Sequence, residues 1–150
     1  MNLKQTYEEI KESKSFKEFM LEHPKAFLNY VLYIEPDETL EYGTYDNETG
    51  KIGVFSKDSH RIEENALSKE EKKELAEDEL LFNGILEKTS NIMQEKYNSE
   101  IIKKICLLAK NEEAEWRITF MLSNMKIIFV VTDLEGNIKK EEEIKLFSFN

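Results

Sequence analysis

Residues 114 to 140, AEWRITFMLSNMKIIFVVTDLEGNIKK, constrain the fold more than any other stretch. Trp116, Ile118, Phe120 and Leu122 recur at every second position with Arg117 and Thr119 between them, the period of a strand with one buried face. After a break at Ser123-Asn124, the run Ile127 to Val131 is apolar on both faces and rich in β-branched residues, as a central strand is. Asp133-Leu134-Glu135-Gly136-Asn137 then supplies the Asp and Gly of a sharp reversal. Three successive antiparallel strands are predicted.

The rest of the chain alternates helix and strand signals. Residues 3 to 22 read as a helix broken once, with Leu3, Tyr7 and Ile10 on one face and a capping box at Ser15-Phe16-Lys17-Glu18 restarting it so that Phe16, Phe19 and Met20 point inward. Thr6 with Glu9 reads as an early cap, and Pro24 ends the helix. Leu28, Tyr30, Leu32 and Ile34 alternate over residues 26 to 34, and Pro36-Asp37-Glu38 is a turn. Thr39 to Tyr45 and Lys51 to Ser56 flank the turn Asp46 to Gly50. This hairpin carries fewer aliphatic residues, which predicts an edge position or cover on one side only.

Lys57 to Leu67 is expected to be a loop. A capping box at Ser68-Lys69-Glu70-Glu71 opens what reads as the longest helix, running to about Tyr97 with Leu75, Phe82, Ile85, Leu86, Ile92, Met93 and Tyr97 as its stripe and a bend at Asn83-Gly84. In residues 101 to 110, Ile101, Ile105 and Leu108 fit a helix while Ile101, Ile105, Leu107 and Ala109 fit a strand. The short polar connection Asn111-Glu112-Glu113 favours the strand. The tail from Ile138 begins as a strand, and Phe147 and Phe149 are expected to dock on the body. The expected fold class is therefore α+β: an antiparallel sheet of about six or seven strands packed by one long helix and an N-terminal helix.

A chain of 150 residues is one domain's worth. Its formal net charge of −10 opposes binding to nucleic acid or to an anionic membrane surface. The single cysteine, Cys106, permits no intrachain disulfide and suits a reducing compartment. The N-terminus lacks the apolar region of a signal peptide, and no apolar run is long enough to span a membrane. A soluble cytoplasmic protein is expected.

The two halves, 1–58 and 68–147, share a pattern. Ala26, Leu28, Tyr30, Leu32 and Ile34 align with Ala114, Trp116, Ile118, Phe120 and Leu122. Asp46, Gly50 and Ile52 then lie beside Asp133, Gly136 and Ile138. The pattern reads equally as a tandem helix-plus-meander repeat and as two ordinary meanders with similar turns. The helix, the strands and the run Asp46-Asn47-Glu48-Thr49-Gly50-Lys51-Ile52 resemble the PepSY and cystatin-like families, and residues 103–122 followed by 126–138 resemble small archaeal proteins of that kind. That resemblance implies a helix packed across an antiparallel sheet. It does not carry protease inhibition with it, because neither Gln5 nor Gln94 is followed by the Val and Gly of the cystatin loop.

No motif supplies chemistry. Gly50-Lys51 lacks the earlier Gly and the following hydroxyl of a phosphate loop, having Tyr45 and Ile52 there. Asp46 to Gly50 places its Gly one residue early for a calcium loop, with Lys57 in place of the bidentate Glu. His23 and His60 have no metal-spaced neighbours and are expected at the surface, and Cys106 reads as a half-buried structural thiol. No metal or cofactor is expected. Tyr30, Tyr33, Tyr42, Tyr45 and Phe55 cluster on the first hairpin, where aromatic residues either line a partner surface or pack as core. The leading expectation is a non-catalytic module that binds a protein or peptide. The alternatives are a small-ligand or enzyme pocket under the long helix, and a homodimer joined through the sheet.

Overall fold

The computed structural model describes residues 2–64, 72–82 and 84–144. Helix α1, Leu3–Lys11, begins at Asn2, whose side chain accepts from the Gln5 amide at 3.0 Å, and buries Leu3, Tyr7 and Ile10. Helix α2, Lys14–Glu22, is capped by Ser13, two residues before the expected Ser15 box, and buries Phe16 and Phe19. Strands β1 (Phe27–Glu35), β2 (Thr39–Tyr45), β3 (Lys51–Phe55) and β4 (His60–Glu64) follow as one meander. Helix α3, Ile85–Tyr97, leads into a second meander: β5 (Ile101–Lys110), β6 (Ala114–Leu122), β7 (Ile127–Thr132) and β8 (Ile138–Ile144). The meanders join where β1 pairs antiparallel with β5, giving one eight-stranded sheet in the order β4-β3-β2-β1-β5-β6-β7-β8.

This overturns the expected fold class on two counts. The sheet has eight strands, because residues 60–64 form β4 where a loop was predicted. Among the described residues there is also no long helix: α3 holds 13 residues, and the described part of the stretch before it is extended apart from a single turn at Glu77–Glu79. Sheet contacts outcompete helical hydrogen bonds in that stretch. The Lys73 amide donates to the Lys110 carbonyl at 3.0 Å and the Leu75 amide to that of Leu28 at 2.8 Å. The Asn29 amide group bridges the Lys73 and Lys110 carbonyls, both at 2.9 Å. Leu75 and Leu80 are buried by this docking. Gly84, at φ 68°, then adopts the left-handed turn from which α3 starts. The Ser68 capping box and the Phe147 and Phe149 docking lie outside the described residues.

Alternation along the paired strands separates two faces. Phe55, Tyr42, Val31, Leu108 and Trp116 form a row across β3, β2, β1, β5 and β6. All five are buried beneath the helices. Tyr7 stacks on Tyr42 at 5.4 Å, Phe16 and Phe19 meet Phe55 edge-on, and Phe82 from the extended stretch stacks on Trp116 at 5.4 Å. Cys106, fully buried on this side, has its thiol pushed up to about 12 by burial. It is a structural thiol, and more deeply placed than its sequence context suggests.

Two buried hydroxyls on this side, Thr44 Oγ1 and Thr132 Oγ1, have no hydrogen-bond partner among the described residues. A buried unsatisfied hydroxyl costs about 1–3 kcal/mol. Replacing Thr132 with the isosteric, equally β-branched valine is therefore expected to leave the denaturant midpoint unchanged or to raise it. A loss above about 1 kcal/mol would show that the hydroxyl is satisfied after all.

Candidate functional site

The five aromatic residues singled out in the first hairpin do not share a surface. Tyr42 and Phe55 lie in the core under α1 and α2, and the Tyr42 hydroxyl donates to the Leu3 carbonyl at 2.7 Å. Tyr33 is buried against Phe82. Tyr30 and Tyr45 are half-exposed and lie on the opposite face. A bulge explains the split. Between Leu28 and Tyr30 the register with β2 shifts by one residue, so Leu28 faces the helices while Tyr30, Leu32 and Ile34 face away. The extra residue, Asn29, is the one that holds the Lys73 and Lys110 carbonyls.

Among the described residues, that second face carries no helix. At its centre two apolar rows cross the sheet: Leu32, Leu107 and Val131 with Arg117 among them, and Ile34, Ile105 and Phe129 with Thr119 among them. Only Val131 of these falls into the buried class, at 8% exposure; the others are intermediate. At the β2 end the Tyr30 ring lies flat against Gly43, where a Cβ would sit 2.0 Å from the ring. The glycine is what allows that close approach. Burial, together with the nearby Glu63 and Glu41, pushes the Tyr30 hydroxyl up to about 12.

The charges on this face are matched. Arg61 binds Glu41 and Glu63, Arg117 binds Glu115 at 3.1 Å, and Lys140 sits 3.6 Å from Glu142 and over the Phe129 ring. Lys103 reaches Asp37 at 3.9 Å. A chain of net charge −10 thus keeps its acidic excess off its uncovered sheet face.

A second candidate lies beside α3, where a cleft of about 470 Å³ is walled by Tyr33, Glu35, Phe82, Ser90 and Lys104. Lys104 Nζ lies 3.0 Å from Glu35 and donates to Ser90 Oγ at 3.1 Å, while Tyr33 donates to Glu35 at 2.8 Å. Ser90 in turn donates to the Leu86 carbonyl. Burial would raise the Glu35 carboxyl, but hydrogen bonds from Lys104 and Tyr33 hold it below its usual range. These residues had a legible signal. Val31, Tyr33 and Glu35 continue one inward alternation, as do Leu108, Cys106 and Lys104, so two charges stand in phase with core positions.

His23 also departs from expectation. It is 6% exposed, stacked against Phe19 and bonded through Nδ1 to Asp46 Oδ2 at 2.7 Å, rather than free at the surface. Asp46 further accepts from the Glu48 amide and the Thr49 hydroxyl. Burial pushes its carboxyl up, but the bonds from His23, Glu48 and Thr49 prevail and hold it below its ordinary value. Both atoms of the carboxylate are committed to closing α2 and the β2–β3 turn, which is a structural role. His60, by contrast, is exposed and stacks on Phe55 from outside.

Among the described residues, no three His, Cys, Asp or Glu side chains converge to hold a metal ion, and no helix is long and apolar enough to cross a membrane. Comparison with family models, curated proteins and solved structures returned no match.

Proposed function

We propose that the protein is a non-catalytic binding module for another protein, and that the docking surface is the sheet face turned away from α1, α2 and α3. One observation carries this reading: an eight-stranded sheet has all three helices on one side, while its other side presents two rows of half-exposed apolar residues. Contiguous apolar surface of that kind is uncommon on a monomer and marks an interaction site. Tyr30 and Tyr45, the two hairpin tyrosines on this face, supply aromatic contact area at its margin.

The cleft beside α3 is the second reading, favoured by the convergence of Tyr33, Glu35, Ser90 and Lys104. It ranks lower because these groups hydrogen-bond chiefly to one another and to the backbone. Ser90 both donates and accepts within the structure, and the Tyr33 hydroxyl is spent on Glu35. A nucleophile needs a free base and an oxyanion site, and among the described residues the cleft supplies neither.

The test is native co-purification with wild type and with Ile105→Lys, a half-exposed position where lysine is compatible with the fold. A partner held by the wild type and lost by the folded variant supports the reading. A partner retained equally by both would remove this face as the docking surface. Metabolite turnover abolished by Lys104→Met would replace the reading with the cleft.

A further inference from the structure

We infer that the occupant of the uncovered sheet face is a second copy of this chain, so that two helix-backed sheets pack face to face as a four-layer homodimer. The inference rests on the face being a protein-docking surface and names the partner.

Size is the first argument. The central six strands, at about 4.8 Å spacing and about eight residues of about 3.3 Å each, span roughly 29 by 26 Å, or about 750 Å². A stable interface needs about 800 Å² from each partner, so the face as a whole, apolar centre and polar rim together, is about large enough to form one with a second identical sheet. Layer architecture is the second. A sheet apolar on both sides is stable when both are covered, and two such sheets stack about 10 Å apart with their side chains interdigitated. A two-fold operator brings the same apolar rows together in both directions, as an isologous contact requires.

Charge decides between a copy and a stranger. A face that carried the chain's acidic excess would repel itself and select a basic partner. This face instead pairs Arg61 with Glu41, Arg117 with Glu115 and Lys140 with Glu142, so stacking it on itself opposes no block of like charge. The sheet edges are unsuited to the same task. β4 is exposed throughout and carries Arg61, Glu63 and Glu64; β8 carries Lys139, Lys140 and three successive glutamates. Charged edges discourage strand-to-strand addition.

Sedimentation equilibrium of the full chain over about 1–100 μM is the experiment. The expected result is a mass that rises from one chain's 17.7 kDa toward twice that value. Association should tighten as salt is added, because salt screens the repulsion between two bodies of charge −10. Ile105→Lys and, as a milder second variant, Phe129→Gln should each stay at one chain's mass with an unchanged circular dichroism spectrum. A wild type that remains at 17.7 kDa throughout overturns the inference. So does a dimer that both folded variants retain. If the wild type is monomeric but Ile105→Lys still loses a different co-purifying protein, self-association fails while the docking reading stands. If no contact of any kind depends on the face, both fail.

Discussion

Trp116→Ala is expected to destabilise the protein by about 3–5 kcal/mol, the range for removing a large aromatic side chain from a packed core. Trp116 has 0% exposure and lies in the helix-side row between Leu108 of β5 and Thr132 of β7. Its ring stacks on Phe82, and its Nε1 donates to the Leu81 carbonyl at 3.3 Å. Those two contacts fasten the extended stretch before α3 to the sheet. Truncation therefore opens a cavity and orphans a carbonyl, which places the cost toward the upper end of the range. Trp116→Phe keeps the stack and loses the hydrogen bond, so about 1–2 kcal/mol should go. Because Trp116 is the sole tryptophan, denaturation of the variants is followed by circular dichroism rather than indole fluorescence. An unmoved midpoint for Trp116→Ala would mean that the strand face is wrongly assigned.

The strands were legible wherever alternation was uninterrupted. Trp116, Ile118, Phe120 and Leu122 are all buried, and residues 101–110 form the strand that their polar connection to Trp116 implied. Local pattern failed where a partner elsewhere in the chain decided the outcome. The stripe through Leu75 and Phe82 has helical spacing, yet Leu75 is tied to Leu28 and Lys73 to Lys110, partners 47 and 37 residues away. Nothing within that stretch records those bonds. His60 to Glu64 is polar apart from Ile62, so β4 has no hydrophobic period; it forms because β3 offers it an edge.

The candidate site was the least legible part for a related reason. A single bulge residue, Asn29, reverses the phase of β1. Read without it, Leu28 and Tyr30 share a face; with it, Leu28 is core and Tyr30 is half-exposed on the far side. A one-residue slip moves every following side chain to the other face, so the aromatic cluster of the first hairpin divides between core and surface. The uncovered face itself is a property of where the helices lie. Leu32, Ile34, Ile105 and Leu107 look like core residues in any sequence, and their exposure follows only from α1, α2 and α3 sharing one side.

Asp46→Ala should cost about 3 kcal/mol near neutral pH, because removing the carboxylate leaves the buried His23 and two donors of the β2–β3 turn without their acceptor. Those donors are His23 Nδ1 at 2.7 Å, the Glu48 amide at 2.9 Å and the Thr49 hydroxyl at 3.2 Å. The same geometry fixes a pH dependence. The folded-state carboxyl of Asp46 lies below its ordinary value of 3.8, so the unfolded chain takes up its proton first as the pH falls. The stabilisation is therefore complete above the unfolded value and is lost as the pH drops below about 4 and through the depressed folded value. Asp46→Asn preserves the size of the side chain but cannot ionise. Subtracting its stability profile from that of the wild type cancels the carboxylates that do not touch Asp46, and the difference should shrink as the pH falls below about 4. Urea denaturation of both proteins at a series of pH values measures that difference. A gap that widened as the pH fell below about 4 would reverse the sign and show that folding raises the Asp46 carboxyl. A gap that began to close near neutrality, well above the carboxylate range, would assign the titration to another group and remove Asp46 as its source.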